Sequence, residues 1–216
     1  MRCIETMGIF ITIEGVEGSG KSTQLEKLVQ ALQDKGLDVL QTREPGGTEI
    51  GRAIRKVLLT GESQAIHPLT ELLLYAADRS QHVRQVIRPA LEQGKTVLCD
   101  RYQDSTMAYQ GYGRGLDRTW IDALGQWATG GLMPRWTLLL DCPVKIGLVR
   151  STARLQRQNS REDRFEKEAL AFHEKCRQGF LDLAKKEPAR FAVFDATQDP
   201  ETVHRSILRF LEGKIL

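Results

Sequence analysis

Gly15-Val16-Glu17-Gly18-Ser19-Gly20-Lys21-Ser22-Thr23 decides the reading of the chain. It follows an apolar run, Ile9–Ile13, and precedes Gln24–Asp34, where Leu25, Leu28, Val29 and Leu32 recur at helical spacing. Strand, glycine-rich turn and helix start, in that order, make an anion cradle. The glycines let the backbone curl until successive N–H groups point inward, and the helix end adds its partial positive charge. The spacing GxxxxGK[ST] adds Lys21 for the outer phosphates of a nucleoside triphosphate and the Ser22 hydroxyl for Mg²⁺. Gly15 through Thr23 are therefore candidate ATP contacts, with Lys21 also a candidate catalytic group.

Outward from the cradle, four further apolar runs read as strands: Val39–Thr42, Thr96–Cys99, Trp136–Leu140 and Phe191–Phe194. They are continuously apolar, the pattern of parallel strands covered on both faces. Helical patterns alternate with them over Leu69–Glu92 (bent near Pro89), Ile121–Ala128, Val144–Leu155, Phe165–Lys186 and Glu201–Glu212. The alternation predicts a three-layer α/β/α sandwich around a five-stranded parallel sheet, the P-loop NTPase fold. Ligands of such a sheet bind at the carboxyl ends of the strands. No composition break divides the 216 residues, so one domain is expected, with a mobile lid at about 150–165.

Hydrophobic content of 41% and charged content of 27% are those of a globular protein, and a net charge of +3 is too slight for a nucleic-acid binder. Cys3, Cys99, Cys142 and Cys176 show no CxxC pair or ligand spacing, which argues against zinc and against a disulfide framework. No apolar run approaches the roughly 18 residues of a membrane span. The leader Met1–Thr6 carries an acid and no long apolar stretch, and Met7 is an alternative start. A cytoplasmic location is expected. A GTP-dependent switch would also carry an NKxD-type guanine reader, and none is found.

Four segments resemble the thymidylate kinases: the cradle itself, Arg43-Glu44-Pro45-Gly46-Gly47-Thr48, Leu72-Leu73-Leu74-Tyr75-Ala76-Ala77-Asp78-Arg79, and Asp100-Arg101-Tyr102-Gln103-Asp104-Ser105-Thr106-Met107-Ala108-Tyr109-Gln110. The resemblance implies phosphoryl transfer from ATP–Mg²⁺ to dTMP. By it, Glu17 bonds the sugar 3′-hydroxyl of the acceptor, and Arg43 and Arg101 hold its phosphate. Tyr75, where many members have Phe, stacks on thymine; Arg79 reads a thymine carbonyl, and Thr106 lies at the thymine edge. Tyr109 crowds the sugar 2′ position, Ser105 and Gln110 complete the acceptor set, and Asp100 joins Ser22 at the metal. Asp195-Ala196-Thr197-Gln198 resembles the loop beside the donor adenine. The family is usually dimeric, with Leu69–Glu92 a candidate interface.

Arg150, Arg154, Arg157, Arg161 and Arg164 recur every three or four residues, which on a continuous helix makes one stripe. The family's other branch carries an arginine in the phosphate loop where this chain has Gly18. The resemblance therefore assigns the transition-state charge to the lid, with Arg154 and Arg157 as catalytic candidates beside Lys21 and Arg101. Two competing readings stand at this point: a kinase for another pyrimidine deoxynucleotide, and a regulatory nucleotide-binding module.

Overall fold

The computed structural model describes residues 8–60, 66–159 and 162–215. Arg161, the leader and Cys3 lie outside the described residues. Five strands, β1 (Phe10–Glu14), β2 (Val39–Arg43), β3 (Thr96–Asp100), β4 (Trp136–Asp141) and β5 (Phe191–Asp195), form one parallel sheet in the order β2-β3-β1-β4-β5. Every predicted strand is present, each shifted or extended by a residue or so. The extensions carry the function: Glu14, Arg43, Asp100, Asp141 and Asp195 are the last residues of their strands. Register pairs Arg43 with Asp100 and Asp141 with Asp195, so these side chains share one edge of the sheet.

Alternation along β1 sends Ile11 and Ile13 into one layer and Phe10 into the other. The first layer holds Leu25, Leu28 and Leu32 of α1 (Lys21–Asp34), Phe172, Cys176 and Phe180 of α8 (Leu170–Lys186), and Ile207 of α9 (Pro200–Leu211). The second packs Phe10, Val97 and Cys99 against Val83, Ile87 and Leu91. Cys99, Cys142 and Cys176 are buried free thiols. Among the described residues, no helix is long and apolar enough to cross a membrane.

The helices depart from expectation in four places. Glu49–Leu59 is a helix, α2, capped by the Thr48 hydroxyl accepting from the Gly51 amide; the sequence reading had no element there. The expected helix Leu69–Glu92 is α3 (Pro68–His82), a wider π turn at Val83–Ile87, and α4 (Arg88–Glu92). Pro89 has no amide to donate, so regular bonding cannot run through it. Phe165 does not begin a helix: α8 starts at Leu170, because Phe165 turns inward to pack on Tyr109 and Phe172. The helix preceding it, α7 (Val144–Gln158), ends at Asn159 in the left-handed region with φ 47°. The remaining helices are α5 (Gln103–Thr106), which runs into a π turn at Met107–Gly113, and α6 (Arg118–Thr129), capped by Asp117.

Candidate active site

A cavity of about 760 Å³ opens at the carboxyl edge of the sheet. Its walls come from the cradle, the ends of β2 and β3, α3, α5 with its π turn, α7 and the segment after β5. In the cradle, Gly18 has φ +66°, and a Cβ there would lie 1.9 Å from the carbonyl oxygen of Gly147 on α7. No side chain fits between the loop and this helix, which explains why position 18 cannot carry an arginine here. Gly18→Ala should therefore cost about 2 kcal/mol and weaken ATP binding, because the residue must take a left-handed conformation and push α7 away. A thermal melt with an ATP titration checks this; an unchanged melting temperature and ATP affinity would contradict it.

Lys21 is nearly buried, and its Nζ donates to the carbonyls of Gly15 and Val16, both at 2.9 Å. Burial, and then the Arg101 guanidinium, lower its ammonium to about 8. Glu17 faces it from the same loop. One of its oxygens accepts from the Tyr109 hydroxyl at 2.6 Å and from Arg101 Nη2 at 3.1 Å, and the other meets His173 Nδ1 at 3.2 Å. Burial alone would raise the Glu17 carboxyl; His173, Arg101, Lys21 and Tyr109 together hold it down to about 2.

Arg101 is the most constrained residue of the site. It has φ 69°, a left-handed conformation that costs a side-chain-bearing residue about 1–2 kcal/mol. The turn is held by the Arg101 amide donating to the Ile13 carbonyl at 3.1 Å and by the Tyr102 amide donating to Glu14 at 2.7 Å. Its guanidinium donates to the Ser105 hydroxyl at 2.9 Å, and that hydroxyl donates to the other oxygen of Glu14. A fixed cation thus stands above the phosphate loop, aimed into the cavity.

The thymidylate kinase family matches this chain over residues 13–207. The chain belongs to the thymidylate kinase family. It is 51% identical to the thymidylate kinase of Geobacter sulfurreducens, with 97% of this chain and 99% of that one aligned. It is 54% identical to that of Citrifermentans bemidjiense, over 89% and 86% of the two chains. The crystal structure of thymidylate kinase from Ehrlichia chaffeensis superimposes with a TM-score of 0.76 at 34% identity, covering 95% of this chain and 99% of that one.

The residues expected at the acceptor line the same cavity, but they differ in what they have left to offer. Arg43 is exposed at the end of β2 with no side-chain partner among the described residues. Thr106 is buried, and its hydroxyl has no partner among the described residues. Tyr75 is half-buried on α3, and burial followed by Glu71 pushes its phenol well above the ordinary value. Tyr109 holds Glu17, with Arg101 stacked 5.0 Å from its ring centroid. Ser105 is engaged between Glu14 and Arg101, so it acts on the site through Arg101. Gln110 donates to Glu71 at 2.7 Å.

Arg79 is only 2% exposed and largely committed inside the protein. Its Nε donates to Glu44 at 2.7 Å, Nη1 to Gln103 at 2.8 Å, and Nη2 to the Tyr102 carbonyl at 3.0 Å. The sequence reading took it as a base reader alone; it also braces the end of β2 against the start of α5. With five N–H groups on a guanidinium, two remain for the cavity. Glu44 further accepts from His82 Nδ1 at 2.8 Å, and a Cβ on Gly47 would lie 2.4 Å from the same ring. This close approach is what the Pro-Gly-Gly turn serves.

The four lid arginines among the described residues do not form one stripe. The left-handed Asn159 ends the helix before Arg164, which turns back to donate to the Leu58 carbonyl and Glu71. Arg150 donates to the Ala196 carbonyl at 2.8 Å. Arg154 and Arg157 line the cavity with weaker ties, a 4.0 Å ion pair to Glu166 and a 3.2 Å bond to the Ala153 carbonyl respectively. Arg55 also faces the cavity, donating to Glu162 and to the Pro45 carbonyl. The sequence reading missed it with its helix, although the Thr48 cap and the spacing of Ile50, Ile54, Val57 and Leu58 signalled one.

Asp100 Oδ1 is buried without a partner among the described residues, near Lys21 of the cradle, and Ser22 lines the same cavity. Among the described residues, no group of three or more His, Cys, Asp or Glu side chains could hold a metal ion alone. One carboxylate and one hydroxyl suit Mg²⁺, which is usually completed by water and substrate phosphates.

Proposed function

We propose that this chain transfers the γ-phosphoryl of ATP to dTMP, giving ADP and dTDP for dTTP synthesis. One observation carries this: a single cavity joins the cradle and Lys21 to Tyr75, Arg101, Thr106 and Tyr109. The cradle and Thr23 take the donor, with Ala196 and Gln198 on the adenine side. Arg43 and Arg101 hold the acceptor phosphate, whose attacking oxygen is ionised near neutral pH and needs no strong base. Tyr75 stacks on the base, while Thr106 and the remaining donors of Arg79 read its edge. Glu17 takes the 3′-hydroxyl, Tyr109 fills the 2′ side, and Gln110 supports this wall.

Catalysis then consists of positioning and charge neutralisation. Lys21 and Arg101 flank the moving group, and Arg154 or Arg157 brings the remaining charge when the segment at about 150–165 closes as a lid and excludes water. Asp100 and Ser22 would hold Mg²⁺, which supplies Lewis-acid neutralisation of the phosphate oxygens. ADP release with ATP–Mg²⁺, measured with and without dTMP, tests the reading. Release dependent on dTMP supports it; ATP binding without dTMP-dependent release would turn the reading to a regulatory nucleotide-binding module.

The assembly proposed is a homodimer acting in the cytoplasm. Its support is an unusual apolar face: Ile50 and Val57 on α2, Leu69 and Leu73 on α3, and Trp120 and Trp127 on α6 are all exposed, the two tryptophans by 75% and 84%. The tryptophans are two helical turns apart, on one face. A patch of this kind marks an interface on a globular protein. Trp127→Glu should convert the dimer to a monomer in light scattering after size exclusion; a dimer of unchanged mass would exclude this face.

A further inference from the structure

We propose that His173 is a positioning residue for the acceptor site: its ring holds Oε2 of Glu17 and so fixes the carboxylate that meets the acceptor's sugar hydroxyl. This rests on the reading that Glu17 contacts the 3′-hydroxyl. His173 lies on α8, is 1% exposed and does not line the cavity, so it acts only through Glu17. Oε1 of Glu17 already takes two donors, Tyr109 and Arg101, whereas Oε2 is held by His173 Nδ1 at 3.2 Å. Without that bond the carboxylate keeps supports on one side only and can turn about its last torsion.

The environment argues against a ring that merely fills space. His173 stands edge-on to the Phe172 ring, centroid 5.5 Å away, with its Nδ1 turned to Glu17. On its other side the ring faces the Phe165 carbonyl, although Nε2 makes no close hydrogen bond among the described residues. The groups facing the ring are Glu17 from the phosphate loop, the Phe165 carbonyl and Glu166 from the turn before α8, and beyond Glu17 the cations Arg101 and Lys21 and the Tyr109 hydroxyl. Burial works against the charged ring, but Glu17, the Phe165 carbonyl and Glu166 outweigh it and hold its pKa above the ordinary 6.5. The charged contact is therefore fully present below about 6.5 and is lost as pH rises through the raised value.

The test is the ratio of kcat/KM for dTMP to that for 3′-deoxythymidine monophosphate, taken from pH 6 to 9. Taking a ratio cancels the titration of Lys21 and of the acceptor phosphate. In the unaltered protein the ratio should be highest at the acid end and fall with rising pH. His173→Gln should lower the ratio at pH 6.5 about tenfold, flatten its pH dependence and leave KM for ATP unchanged. An unaltered ratio and pH profile in His173→Gln would overturn the proposal while leaving the role of Glu17 intact. A ratio near unity in the unaltered protein, with Glu17→Gln behaving alike, would overturn both. Should His173→Gln fail to fold, nuclear magnetic resonance titration of the His173 ring in the unaltered protein decides. Titration above 6.5, with a shift on binding dTMP but not the 3′-deoxy compound, supports the proposal; titration at or below 6.5 with no such difference overturns it.

Discussion

Lys21→Ala is expected to lower turnover about 10³-fold or more while leaving the melting temperature unchanged or slightly raised. The two halves of this expectation come from one geometry. Lys21 is the ammonium of the cradle, and in the role proposed for it the side chain opposes charge that builds on the phosphoryl group. In the folded chain it is also a nearly buried cation beside Arg101, lowered to about 8 by burial and by that guanidinium. Removing it relieves desolvation and like-charge repulsion; against these stand its lost bonds to the Gly15 and Val16 carbonyls and its lost attraction to Asp100, Glu17 and Glu14. Steady-state ADP release and a thermal melt on the same preparation measure both. Turnover within tenfold of the parent would remove Lys21 from the chemistry.

Arg79→Ala is expected to be the most destabilising single change considered, costing about 3–5 kcal/mol. Arg79 and Glu44 are each 2% exposed in their side chains, and the pair is held at 2.7 Å. Truncating the arginine strands the Glu44 carboxylate, which then has only His82, leaves the Gln103 side-chain oxygen without its donor, and leaves the Tyr102 carbonyl with the Ser105 amide alone. The melting temperature should fall by about 10 °C for a chain of this size. Because Glu44 follows Arg43 and Tyr102 follows Arg101, both arginines proposed for the acceptor phosphate lose their bracing. The kinetic effect should therefore include kcat and not KM for dTMP alone. A variant with an unchanged melt and a raised KM for dTMP would mean that Arg79 serves the base only.

The strands, their parallel arrangement and the cradle were legible in the sequence because each rests on a local pattern. A continuous apolar run followed by GxxxxGKS admits few other structures. The strand-end residues Glu14 and Asp100 carry the logic one step further, since a charge ending an apolar strand marks the carboxyl edge. The single arginine stripe fails because its spacing assumes an unbroken helix, and one left-handed residue, Asn159, breaks it. From the sequence Arg79 reads only as a base reader, because its partners Glu44 and Gln103 come from two other segments. His173 and Glu17 meet only once α8 packs behind the phosphate loop; no spacing in the chain announces it. Local signals gave the scaffold, and the supports of the site are long-range.

The most direct test of the central claim is product formation under competition. ATP–Mg²⁺ would be supplied with an equimolar mixture of dTMP, dUMP, dCMP, UMP, AMP and thymidine, and the phosphorylated products separated and counted. The account predicts dTDP as the dominant product, formed with an equal amount of ADP. Preferential phosphorylation of another acceptor would contradict the roles given to Tyr75, Thr106 and Tyr109, and formation of no diphosphate by folded, ATP-binding protein would contradict the claim itself.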